Sequence, residues 1–182
     1  MMTKIKMLAV VFLLQIGYAQ GQSLYATSTG EVSFFSETPL ENIQAVNKKT
    51  GSIINATSRE LAVQMKITDF IFPNKLMQEH FNENYLESEK YPNATFKGKI
   101  KESVDLSVPG TYPVATEGSL TIHGVTKPVL VKGTIVSTGS DLKLDFKFQV
   151  KPEDYKIEVP SLVVTKIAET IDVTGKMILA KR

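Results

Sequence analysis

Strict alternation of apolar and polar residues recurs along this chain and limits what it can become. Leu61, Val63, Met65 and Ile67 alternate with Ala62, Gln64, Lys66 and Thr68. Leu142, Leu144, Phe146, Phe148 and Val150 alternate with Lys143, Asp145, Lys147 and Gln149. Phe96 and Ile100 flank Gly98, with Lys97 and Lys99 between them. Ile171, Val173 and Leu179 share a parity opposite Asp172 and Lys176. Successive side chains of a strand point to opposite faces, so each segment turns one face to an apolar interior and the other to water. A sheet that is apolar on one side throughout must pack on a second layer or close on itself. If it closes, its inside is apolar.

Residues 1–19 read as a cleavable secretory signal. Lys4 and Lys6 precede the apolar stretch Met7 to Ile16, and Gly17 and Ala19 are small residues two apart. The stretch is too short to be retained as a membrane-spanning helix. Cleavage after Ala19 leaves one domain, residues 20–182, long enough to bury a core. Lys4 and Lys6 carry the whole formal excess of +2, so the mature chain is close to neutral. It has no basic field to attract nucleic acid.

Cysteine is absent. That excludes thiolate chemistry, cysteine metal sites and lipoprotein acylation, and it leaves the fold without disulfides. A soluble exported product is therefore expected, in the periplasm. His80 and His123 are the only histidines, too few for a histidine zinc site, and neither a phosphate loop nor a G-x-S-x-G elbow occurs. No metal, no cofactor and no enzymatic activity are expected.

The chain predicts about eight strands and one short helix. Ser23 to Ser36 is extended, with Val32 and Phe34 inward and a turn at Gly30. Asn47 to Gly51 reads as a polar turn before a short strand ending at Asn55, and Arg59 to Phe72 reads as one long strand. From Asn74 the period changes: Leu76, Met77, Phe81 and Tyr85 recur at helical spacing behind an Asn cap. Strands resume at Ala94 to Ser103. Val114 to Ile122 and Val129 to Val136 form a hairpin across Gly124 to Pro128, and Asp141 to Lys151 follows a second turn. Pro152 to Pro160 is a loop or a helical turn, with Tyr155 and Ile157 covering one end of the sheet, and Thr170 to Ala180 is the last strand. Sequential neighbours make the sheet antiparallel. Eight such strands can close into a barrel whose interior is filled or holds one small ligand.

Two blocks resemble a known family. NKLMQEHFNENYLESEKYPNATFKGK, from Asn74 to Lys99, carries Met77, the His80-Phe81 pair and Tyr91-Pro92 with Ala94 and Phe96. LTIHGVTKPV, from Leu120 to Val129, carries a His-Gly-Val-Thr-Lys turn. Both are similar to the YceI-like family of exported bacterial lipid-binding proteins. The opening segment YATSTGEVSFFSE departs from the family in holding no His. The resemblance implies a mainly β fold: an extended eight-stranded antiparallel β-barrel, lipocalin-like, with one short helix and a long hydrophobic channel. It also implies a polyisoprenoid, or another isoprenoid or fatty-chain lipid, as the partner. A second copy of the chain, through unpaired strand edges or apolar barrel ends, is a further expected partner.

The bulky residues are the candidate cavity wall. Phe34, Phe70, Phe72, Met77, Phe81 and Phe96 come from the first half of the domain. Met65, Ile67, Ile100 and Ile122 share their strands' inward parity, as do Leu144, Phe146, Phe148, Ile171 and Val173. Nine Phe and no Trp make a wall with few fixed donors, which suits a flexible hydrocarbon held by burial at about 25 cal/mol per Å². His80, Lys75 and Lys90 are the candidate headgroup contacts, with Lys166 a further possible phosphate partner. Two readings of His80 stay open: a contact at the barrel mouth, or a ring bonding backbone near the helix end. For His123 the simpler reading is a ring bonding the turn backbone. Glu79, Glu83, Glu87 and Glu89 read as a solvated helix face.

Overall fold

The computed structural model describes residues 23–38, 42–159 and 167–182. The expected leader and Lys166 lie outside them. The strands are β1 (Leu24–Glu37), β2 (Asn42–Asn55), β3 (Glu60–Lys66), β4 (Phe70–Ile71), β5 (Asn93–Ile100), β6 (Gly110–Ile122), β7 (Val125–Ser137), β8 (Asp141–Val150) and β9 (Ile171–Lys181). Neighbours run β1-β9-β8-β7-β6-β5-β3-β2, and β1 pairs with β2, so the sheet closes into an eight-stranded antiparallel barrel. The two-residue β4 is an extra rung on Val46 and Asn47 of β2. Closure pairs the edges through which a second copy was expected to dock.

The first two strands are longer than the sequence suggests. Gly30 is not a turn: β1 runs through it, and the register against β2 shifts on either side of it. The stretch Asn47 to Gly51 is likewise mid-strand. Asn47 and Thr50 turn inward and find partners, while Lys48 and Lys49 face water. Asn47 is fully buried; its Nδ2 donates to the Lys66 carbonyl at 2.9 Å, and its Oδ1 accepts the Lys49 N–H at 2.8 Å. Buried polar groups are tolerated when bonded in this way.

The long strand expected from Arg59 to Phe72 breaks at Ile67. There the chain leaves the sheet in a 3₁₀ turn, Ile67–Asp69, and the Ile67 N–H donates to the Pro92 carbonyl at 2.9 Å. The β6–β7 hairpin is tighter than expected. Ile122 pairs with Val125, leaving only His123 and Gly124 in the turn, at φ 51° and 72°. Two positive φ values make the twist that a two-residue hairpin needs.

The barrel is solid at one end. Tyr25, Ile54, Ile100, Leu106, Leu142 and Leu179 are fully buried there in one cluster. Burying each large side chain is worth about 1.5–3 kcal/mol. Leu106 plugs the end from the loop before β6. Ser137 Oγ donates to its carbonyl at 2.7 Å and accepts the Gly139 N–H at 3.0 Å, while the Tyr25 hydroxyl donates to the Gly139 carbonyl at 2.9 Å.

The opposite end is capped by α1 (Lys75–His80), a π turn over Phe81–Tyr85 and a 3₁₀ turn over Pro152–Tyr155. Tyr155 is buried against Leu120 and Val150, and Ile157 packs beside it. Both cover the barrel end, as the sequence predicts.

Candidate functional site

Between the plug and the cap the barrel holds a cavity of about 470 Å³. Leu61 pairs with Ile54 of the solid end, and Leu144, one inward position from Leu142, pairs with Ile135, so Leu61, Ile135 and Leu144 form the cavity floor. Its wall follows from strand parity: alternate residues of every barrel strand face in.

The cap is built from a short sequence. Asn74 Oδ1 accepts the Leu76 N–H at 2.9 Å and starts the helix, and Gln78 Oε1 accepts the Phe72 N–H at 3.3 Å and ties the helix to the preceding chain. The helix then widens into the π turn, closed by the Leu86 N–H donating to the Phe81 carbonyl at 2.9 Å. Phe81 and Tyr85 both line the cavity from this turn. Phe81 lies among Phe34, Phe70 and Phe72, with ring centroids 5.4, 5.7 and 5.0 Å away. Such tilted and offset ring pairs add about 0.5–1.5 kcal/mol each beyond their area.

Of the residues singled out as wall, all but Ile100 border this cavity. Ile100 faces in but sits within the solid end. His80 is exposed and borders the cavity, which puts it at the rim. Among the described residues its ring makes no hydrogen bond, so the expected bond to helix-end backbone is not made. Lys75 points away, onto a shallow hollow shared with Gln78, Glu79 and Asn82. Lys90 is also outside: its Nζ lies 3.7 Å from Glu87 Oε2 and 4.9 Å from the centre of the Tyr91 ring. The structure thus brings His80 to the mouth and leaves both lysines off it.

His123 does not bond its own turn backbone, as the sequence suggests; its ring reaches across to two other segments. Its Nδ1 is 3.1 Å from the Tyr155 carbonyl oxygen, its Nε2 is 3.1 Å from Glu87 Oε2, and the Tyr91 ring stands edge-on at 4.6 Å. It joins the β6–β7 hairpin to both caps.

Several lining residues went unnoticed in the sequence. Thr116 is a buried hydroxyl residue on the cavity wall whose Oγ makes no hydrogen bond among the described residues. Its signal was a Thr at inward parity between Val114 and Gly118. Pro152, Val159 and Ile167 line the cap side beside Ile157; a loop has no periodicity to reveal them. Gly133 also borders the cavity. An isolated inward glycine in a strand is the signal of a close approach.

Among the described residues no Lys, Arg, Asp or Glu lines the cavity. Tyr85 is the one phenol among the described lining residues, and burial pushes its hydroxyl above the usual tyrosine range. No group of three or more His, Asp or Glu among the described residues is placed to hold a metal ion. No helix of the described residues is long and apolar enough to cross a membrane. An enclosure of this chemistry favours hydrocarbon through burial and offers polar contacts only at isolated points.

Comparison with known proteins agrees with this geometry. Residues 22–178 match the YceI-like domain. A UPF0312 protein of Pseudomonas fluorescens is 26% identical over 127 residues, 69% of this chain and 56% of the relative. A UPF0312 protein of Photorhabdus laumondii is 28% identical over 127 residues, 69% of this chain and 54% of the relative. The matches thus span about half the length of these curated relatives.

Among solved structures, a polyisoprenoid-binding domain from Saccharophagus degradans superposes with a TM-score of 0.75 at 15% identity, covering 88% of this chain and 99% of that one. BcnA of Burkholderia cenocepacia gives 0.65 at 18% identity, covering 83% and 96%. These likenesses show a shared fold. With a family match across nearly the whole barrel, the chain belongs to the YceI-like domain family.

Proposed function

We propose that this protein is an exported carrier that sequesters the tail of an isoprenoid or fatty-chain lipid in its barrel. The observation that carries the proposal is the cavity of about 470 Å³ whose described lining holds no Lys, Arg, Asp or Glu. That volume lies within the range of pockets that enclose small molecules, roughly 300–1,000 Å³. Each buried methylene is worth about 0.8 kcal/mol, so a tail of several isoprene units offsets the cost of ordering it. No covalent step is needed. The tail enters toward the Leu61–Leu144 floor, and the headgroup stays at the rim beside His80. An isoprenoid quinone or a polyprenyl lipid fits this arrangement, and the Saccharophagus degradans relative, described as polyisoprenoid-binding, supports it.

Residues 1–19 direct the chain to the periplasm in this reading. A filled barrel acting through its outer face is the competing reading, and the cavity favours the carrier. The test is to express the full chain with its leader, purify the product from the periplasm, and extract it with organic solvent. The carrier reading expects a mature protein beginning at Gln20 and a stoichiometric isoprenoid or fatty-chain species in the extract. A periplasmic protein whose extract holds no lipid contradicts it.

A further inference from the structure

Two phenylalanine rings in the middle of the barrel lie along its wall instead of across its lumen. Phe146 on β8 stands opposite Gly133 on β7 and Gly175 on β9. Phe96 on β5 leans over Gly98 and its cross-strand partner Gly118. A strand glycine normally weakens a sheet, yet here inward glycines sit beside each ring.

A methyl group at any of these glycines would meet something already there. At Gly98 it would come within 2.7 Å of both the Glu117 carbonyl oxygen and the Phe96 ring tip. At Gly118 it would meet the Lys97 carbonyl oxygen, and at Gly133 it would come within 2.6 Å of the Asp145 carbonyl oxygen. Those three positions are walled by backbone, which cannot yield cheaply. Gly175 differs: its three nearest neighbours are all atoms of the Phe146 ring. A methyl there displaces only a side chain that can rotate. With the sheet behind it, the free direction for that ring is the lumen.

We propose that Gly175 is a specificity-determining residue: by leaving room for the Phe146 ring to lie flat, it keeps the cavity deep and sets how long a tail the barrel accepts. This rests on the carrier reading and goes beyond it, because any apolar cavity would retain some lipid while this one is tuned by a single ring position. Phe146 borders the cavity, whereas Gly175 lies behind its ring and off the lining, so the readout is chain-length preference, not retention alone.

The experiment measures binding of a ladder of prenyl alcohols, from farnesol to solanesol, to the mature protein, to Gly175→Ala, to Phe146→Leu and to the double variant. Gly175→Ala is expected to fold, to keep its affinity for short alcohols and to lose at least about tenfold for the longest ones, the worth of about two buried methylenes. The double variant is expected to recover the long alcohols, because leucine is too short to block the lumen. An unchanged length profile in folded Gly175→Ala overturns the inference. So does an equal loss at every length that Phe146→Leu fails to rescue. A wild-type protein that retains none of the alcohols overturns the carrier reading, and this inference with it.

Discussion

The imidazole of His123 and the carboxylate of Glu87, 3.1 Å apart, join two segments that the sequence keeps 36 positions apart. With the other ring nitrogen on the Tyr155 carbonyl, one side chain holds the π-turn exit, the β6–β7 hairpin and the 3₁₀ cap in register. The imidazole side chain is only 12% exposed, whereas Glu87 is 46% exposed. The carboxylate bond is therefore screened by water, and the ring's packing and its carbonyl bond carry most of the effect.

His123→Ala is expected to cost about 1–2 kcal/mol, a typical loss for one buried polar contact, which lowers Tm by a few degrees in a chain of this size. It should also speed the escape of a bound lipid, because the cap loosens while the floor stays intact. Thermal melting and a stopped-flow release assay check the two effects. An unchanged release rate contradicts the role of His123 in holding the cap.

The two halves of the barrel should respond oppositely to truncation. Leu142→Ala, in the solid end, empties filled space and is expected to cost about 2–5 kcal/mol with little effect on ligand. Phe148→Ala, on the cavity wall, should cost less stability, because its ring already borders open volume, and should weaken lipid binding. Denaturant unfolding and ligand titration on the same preparations separate the effects. Equal destabilisation by both would mean that the space beside Phe148 is filled.

A charge in the wall tests the cavity without enlarging it. Phe148→Glu is expected to abolish lipid retention, because an unpaired carboxylate facing hydrocarbon is costly. Circular dichroism must show the native β spectrum for the result to count. A folded Phe148→Glu protein that still retains lipid contradicts the placement of the tail beside this ring.

Acid should loosen the plugged end first. Glu102 is held below the usual carboxylate range by the Ala115 N–H, which it accepts at 2.8 Å. Asp105 is lowered by the Ser107 hydroxyl at 2.6 Å and then by the Ser107 N–H at 2.9 Å. Both folded values lie below the unfolded ones. Their contribution is therefore complete above the ordinary carboxylate range and is lost as pH falls through the lowered values, below about pH 4. Melting curves from pH 6 downward should show a steeper fall in Tm for the wild type than for Glu102→Gln. Parallel curves contradict this source of acid sensitivity.

Strand parity made most of the wall readable, because inward and outward residues alternate without exception in Leu142 to Val150. Depth was not readable. Ile100 has the same parity as Phe96, but parity says only which way a side chain points, not whether a cavity or a plug lies opposite. Asn47 to Gly51 misled because a buried Asn is tolerated in a strand once bonded, here by the Lys66 carbonyl, while Lys48 and Lys49 face water from the same strand. Ile67 continues the apolar alternation of β3 while its backbone has already left the sheet for Pro92. Lys75 and Lys90 carried the right charge for a headgroup, but their distance from the mouth depends on how the cap folds. The role of Gly175 depends on a ring from the neighbouring strand, a relationship between two chain segments that no local pattern contains.

Enclosure of a lipid tail by the barrel is tested most directly by native mass spectrometry of the mature protein with added polyprenyl lipid. A carrier is expected to give a one-to-one adduct that survives gentle desolvation and disappears in folded Phe148→Glu. A clean apo mass at saturating lipid, or an adduct of the same strength in that variant, would contradict it.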